Sequence, residues 1–246
     1  MNAPWPAVVL AAAILVAFAL QMQFDSDALV IRHGLIPYLV EQGEFASLLT
    51  SMFLHGSWTH ALVNAAAALA FGVPVARLMG EHWRHAVAFF LFYIVCGVAA
   101  GGLYVLVHPG SEAVLIGASG AVSALMGAAA RLLYTKGILG PVLSRTVFAF
   151  GAAMVGINLL IAFLGTAPGA GGAPVAWDVH LFGFFIGLLV IGPWAALFGR
   201  RSIAEVAREP LDAPAPSDRR GGPWGSGPAG ESPRDPSPPS DPDRAT

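Results

Sequence analysis

Charge is what this sequence has least of: among 246 residues only 13 are Lys or Arg and 15 are Asp or Glu, for a formal net charge of -2. The few basic residues are scattered and form no stripe, which excludes the electrostatic footprint of a nucleic-acid binder, so no nucleic-acid partner is expected. The single cysteine, Cys96, sits inside an apolar run. It excludes a disulfide framework and reads as a small packed hydrophobe. His33, His55, His82, His85 and His108 fall at loops or interfaces and lack paired spacing of the His-Glu-x-x-His kind, so no metal or cofactor is expected.

What the chain has in excess is apolar surface. Hydrophobic residues make up 56% of it, and the mean hydropathy is +0.67, far above a soluble domain of this length. The chain reads as an all-α, multi-pass membrane protein whose first partner is the lipid bilayer. Six apolar runs approach the length needed to cross about 30 Å of hydrocarbon: residues 4–22, 57–79, 84–107, 117–134, 146–165 and 177–198. The first lacks a basic leader and stays apolar for nearly its whole length, so it reads as a retained helix, not a cleaved signal.

Lys and Arg set the orientation. Arg77 and Arg84 bracket the second connection, Arg131, Lys136 and Arg145 crowd the fourth, and Arg200, Arg201 and Arg208 follow the last helix, while the odd-numbered connections carry only Arg32. The positive-inside rule then makes both termini cytoplasmic; the plasma (inner) membrane of a bacterium is the expected location. Trp5, Trp58, Trp83, Trp177 and Trp194 fall near helix ends, where interfacial anchors belong. The first connection, residues 23–56, holds an apolar-periodic stretch from Leu35 to Leu49 and is expected to pack helices into the outer leaflet. A membrane domain over residues 1–201 is followed by a Pro/Gly/Ser/Asp-rich segment, 202–246, whose composition cannot bury a core and predicts a disordered cytoplasmic tail.

Polar groups within spans are costly and usually functional. Three stand out: His60 with Asn64, Ser119 within Gly117-Ala118-Ser119-Gly120, and His180. Each lies in the first turns of helix two, four or six, which all run inward, so the three share one depth near the outer face. His60 and Asn64 are four apart and point from one helix face, where each can donate to the same oxygen. Ser119 reads either as a nucleophile or as ordinary small-residue helix packing. Gly183 and Gly187 after His180, and Ser119, Ser123 and Gly127 on the fourth helix, form small ridges that would bring His180 to Ser119 as a general base. The fourth run is short, so residues 109–118 are expected to descend as irregular backbone beside a watery cavity. Asp178, two residues from His180, diverges by roughly 200 degrees on a helix and reads as an N-cap, leaving a dyad.

In this order and on these helices, Ser51-Met52-Phe53-Leu54-His55-Gly56, His60, Asn64, Gly117-Ala118-Ser119-Gly120, His180, Gly183 and Gly187 resemble the rhomboid family of intramembrane serine proteases. The resemblance covers residues 4–198. It implies Ser119 as nucleophile, His180 as base, an oxyanion and substrate site made by His60, Asn64, Gly117 and the Ser119 backbone N–H, and cleavage of single-pass transmembrane substrates near the outer face. It also implies a preference for small residues before the cut and helix-destabilising ones after it. Two positions depart from the pattern: Gly43-Glu44-Phe45-Ala46-Ser47 replaces a Trp-Arg pair, and Ser123 stands where many relatives carry an aromatic. A rhomboid-like client-binding protein without catalysis is the alternative, and a small transporter using the polar residues as a pathway is a further one. Residues 165–172, glycine-rich, are expected to let the fifth connection move for substrate entry.

Overall fold

The computed structural model describes residues 2–133, 139–164 and 176–199, all within one compact unit, Met1–Arg201. The tail expected at 202–246 and the glycine-rich stretch 165–172 lie outside the described residues. The named elements of the described residues are all helices: α1 (Trp5–Gln21), α2 (Ser26–His33), α3 (Pro37–Glu41), α4 (Ser47–Thr50) continued by a 3-10 turn (Ser51–Phe53), α5 (Trp58–Met79), α6 (Trp83–Val107), α7 (Ser119–Ala130), α8 (Arg145–Leu164) and α9 (Trp177–Phe198). Each apolar run therefore forms a helix. Three of them, α5, α6 and α9, are long and apolar enough to cross a bilayer by themselves, and α2 turns away from α1 by 118°.

Side-chain size sorts inward and outward positions. Large residues such as Val9, Leu62, Leu91 and Phe185 are exposed, while Ala7, Ala61, Ala68, Ala100, Ala124 and Ala128 are buried. In a bilayer apolar bulk gains nothing by facing inward, so close approach of small residues holds the helices together.

Helix α7 is the extreme case. It has 12 residues, ten of them buried, and rises only about 18 Å against about 30 Å of hydrocarbon. Its seam with α9 is backbone against backbone: a Cβ on Gly183 would lie 2.0 Å from the Gly120 carbonyl oxygen, one on Gly187 1.9 Å from that of Ala124, and one on Gly127 2.0 Å from that of Phe184. The ridges expected from sequence meet here, with Gly120 and Ala124 as added members. Buried Ser123 is part of the same contact, its Cβ 3.2 Å from the Cβ position of Gly183. At the other end of α7, Arg131 donates to the carbonyls of Gly140 (2.9 Å) and Leu188 (3.1 Å), so this cation, read from sequence as a topology signal, also joins α7 to α9.

A short buried helix leaves irregular backbone leading into it, and those polar groups need partners. The first connection supplies them. Leu35 and Leu115 exchange hydrogen bonds of 2.9 and 2.8 Å, Tyr38 N–H donates to the Ser111 carbonyl (3.0 Å), and Gly117 N–H donates to that of Ser51 (2.9 Å). Gly110 N–H donates to the Glu41 carboxylate at 3.1 Å. Helices α3 and α4 fill the periodic stretch expected between Leu35 and Leu49. Helix α2 was not legible there: it starts where the Asp25 carboxylate accepts N–H bonds from Asp27 and Ala28, both at 3.1 Å, a local cap with no burial behind it.

Trp5, Trp58, Trp83 and Trp177 each open a helix and are exposed, as anchors should be. Trp194 differs. It is half-buried within α9, its indole N–H donates to the Ala88 carbonyl at 3.0 Å, and its ring packs on Phe92 and Phe198. It joins α9 to α6.

Gly102, with nothing within 4 Å of its Cβ position, provides a control for the seam. Gly187→Ala is expected to lower the midpoint of thermal unfolding in detergent, by the roughly 1–3 kcal/mol of an overpacked contact or more, because the opposing atoms are backbone. Gly102→Ala is expected to leave the midpoint unchanged or raise it, since alanine is the better helix former.

Candidate active site

The site begins with the placement of α5. At the end of α1, the buried Gln21 amide donates to the His55 carbonyl and accepts from the His55 N–H, each at 3.0 Å. This two-point clamp fixes the turn before α5. The Ser57 hydroxyl then caps the helix by accepting the His60 N–H at 3.1 Å. The buried His55 ring meets the His60 ring edge-on, 5.0 Å between centroids.

Ring nitrogens have roles set by their neighbours. His60 Nδ1 accepts the Gly56 N–H at 3.4 Å, which leaves Nε2 as the nitrogen that carries hydrogen. Nε2 faces the space above Gly117: a Cβ there would lie 2.9 Å from His60 Nε2 and 3.7 Å from Ser119 Oγ. Gly117 also has φ +123. The position admits only glycine, for want of space and for its backbone conformation.

Ser119 opens α7, half-buried, with its backbone N–H among the unpaired donors of a helix start. Its Oγ is 2.9 Å from Nε2 of His180. His180 Nδ1 in turn lies 2.8 Å from Oδ1 of Asn158 on α8. Ser119, His180, His60 and Gly117 are thus brought together as their sequence pattern implies.

Asn64 shares the His60 face and is buried, but its amide donates back to the His60 carbonyl at 3.0 Å. The His60 ring faces the space above Gly117, while one proton of the Asn64 amide is taken by its own helix. Asp178 departs from the N-cap expectation. Ala176 occupies that position, and the Asp178 carboxylate pairs with His108 Nε2, which the Tyr104 ring covers at 4.5 Å. Its second oxygen accepts the Val179 N–H at 3.0 Å, so the carboxylate serves both the start of α9 and the imidazole at the end of α6. Asp178 therefore ties α9 to α6, and the two ring nitrogens of His180 are bonded instead to Asn158 and Ser119.

Asn158 was missed by the sequence reading. It is the only amide, hydroxyl or charged side chain from Val147 to Leu164, and a polar group alone in an apolar span was the available signal. Beside Ser119 lies a cavity of about 20 Å³ walled by Ser51, Met52, Gly97, Gly101 and Val179. Its volume suits about one water molecule.

His55, in the turn before α5, is held at a pKa of about 4, first by its burial and then by His60 beside it. The folded state resists protonation at His55, so between about pH 6.5 and 4 the unfolded chain binds more protons. Stability contributed by neutral His55 is present above pH 6.5 and is lost as pH falls toward 4. His55→Phe is expected to flatten that acid limb in thermal unfolding measured from pH 7 to 4, and an unchanged limb would contradict this.

No curated protein matches the chain. The family model of the rhomboid domain matches residues 42–195, more than half of the sequence and the whole stretch that carries His60, Asn64, Ser119, Asn158 and His180. With that match over helices arranged around a serine and a histidine, this multi-pass membrane protein belongs to the rhomboid family.

Proposed function

We propose that this chain is an intramembrane serine endopeptidase acting through a Ser119–His180 dyad. The observation that carries the reading is the 2.9 Å contact between Ser119 Oγ and His180 Nε2, in a half-buried site at the first turn of two helices. In the reaction, Ser119 Oγ attacks the scissile carbonyl carbon while His180 Nε2 takes its proton. The negative charge that develops on the carbonyl oxygen is met by the His60 Nε2–H, the Ser119 backbone N–H and the free proton of the Asn64 amide. His180 then gives its proton to the leaving amine. A water molecule, deprotonated by His180, attacks the acyl-enzyme and restores Ser119.

The reading includes a topology of six spans, with α1, α7 and α8 joining the three long helices and both termini in the cytoplasm of a bacterium. Helices α5, α7 and α9 then all start at the outer side of the plasma membrane, and the site lies just below that surface. Single-pass transmembrane proteins are the substrates. Gly97 and Gly101 leave only a small cavity beside Ser119, in keeping with a small residue before the cut.

Ser119→Ala and His180→Ala are each expected to abolish cleavage of a transmembrane reporter while the protein still accumulates in the membrane. Asn64→Ala is expected to retain activity reduced by up to about 100- to 1000-fold. Turnover by purified Ser119→Ala protein, or binding of reporter without cleavage by the wild type, would overturn the assignment.

A further inference from the structure

Asn158 lies on α8, and only 2% of its surface is exposed. Burying an amide among apolar side chains is costly unless its groups are bonded. Both ends of Asn158 are. Nδ2 donates to the Met154 carbonyl at 2.8 Å and touches the Met154 sulfur at 3.0 Å, while Oδ1 lies 2.8 Å from His180 Nδ1.

These contacts decide the orientation of the amide. A carbonyl oxygen only accepts, so the group against Met154 O must be the NH2, and the oxygen is the atom that faces His180. Oδ1 in turn only accepts. His180 Nδ1 must then carry the hydrogen, which leaves the lone pair of neutral His180 on Nε2, the nitrogen facing Ser119 Oγ at 2.9 Å.

We propose that Asn158 is a positioning residue of the active site, which holds the His180 ring in the tautomer and orientation that let Nε2 take the Ser119 proton. This rests on the protease reading, and it extends the dyad to a Ser119–His180–Asn158 chain spanning α7, α9 and α8. An amide suits the place. Asp178, the nearest carboxylate in sequence, is bound to His108, and a carboxylate at 158 would have to be desolvated among the apolar side chains of α8. The neutral amide fixes the tautomer without that cost. It also stabilises the imidazolium formed during attack less than a carboxylate would, so its role is orientation more than charge. A second consequence concerns α8. Through Asn158 this helix contributes a hydrogen bond to the site, and displacement of α8 would release the His180 ring.

The test compares Asn158→Leu, which keeps the size and removes the acceptor, with Asn158→Asp, which keeps the acceptor. Turnover of a transmembrane reporter is measured alongside nitrogen-15 NMR of the His180 ring in detergent. Asn158→Leu is expected to lower kcat roughly 10- to 100-fold, a part of what a general base contributes, with KM within about twofold of wild type. Asn158→Asp is expected to recover most of that loss. A packing role predicts the reverse, tolerance of leucine and damage by a buried carboxylate. The NMR spectrum of wild type is expected to show hydrogen on Nδ1, and that preference is expected to vanish in Asn158→Leu. Wild-type kcat in Asn158→Leu, or hydrogen on Nε2 in the resting wild type, would overturn the proposal. The tautomer is read without turnover: a wild type that shows hydrogen on Nδ1 and cuts nothing would refute the protease reading and leave the role of Asn158 toward His180 standing.

Discussion

The structure depends on the contact of α7 with α9 through bare backbone. Where Gly183 and Gly187 face the carbonyls of Gly120 and Ala124, no side chain of any size intervenes. Dispersion between surfaces that close, and not burial of apolar bulk, is what holds helices together in lipid. The same contact has a chemical result. Ser119 precedes Gly120 and His180 precedes Gly183, so the seam that packs the helices also brings Oγ to within 2.9 Å of Nε2.

A helix that buried, and that short, imposes a second constraint. The chain between α6 and α7 reaches it as non-helical backbone, and its N–H and C=O groups need protein partners. The first connection meets that demand through Leu35, Tyr38, Glu41 and Ser51. The Gln21 clamp on His55 then ties α1 to the start of α5 and so to the His60 ring. The two histidines that face Ser119 end up in opposite tautomers, His60 with hydrogen on Nε2 and His180 with hydrogen on Nδ1, because one is set by the Gly56 N–H and the other by the Asn158 oxygen. In the proposed mechanism, the first would donate where negative charge forms and the second would accept where a proton leaves.

Much of this was legible in the sequence, for identifiable reasons. The apolar runs mark the helices because a bilayer tolerates little else, and His60, Asn64, Ser119 and His180 stand out against them. The glycine spacing after His180 predicts a close seam because only small residues permit one. Asn158 was not read, since a lone asparagine has no spacing partner on its own helix and its meaning depends on what another helix brings to it. Asp178 was misread for a similar reason: helix periodicity excludes it from His180, but nothing local reveals that His108, 70 residues away, is its partner. Helix α2 is held at its ends, by the Asp25 cap and by the Thr50 hydroxyl on the His33 carbonyl, without the apolar periodicity that marks a buried helix. Asn64 shows the limit of spacing arguments, which give a shared face but not the direction of the amide.

The proposed protease activity turns on whether the Ser119 hydroxyl is activated by His180. Mass spectrometry of the intact, folded protein after exposure to a fluorophosphonate measures this directly. A single adduct on Ser119 in the wild type, lost in His180→Ala protein of equal helical content, is the result this account requires. Equal labelling with and without His180, or no adduct on Ser119 in the folded wild type, would contradict it.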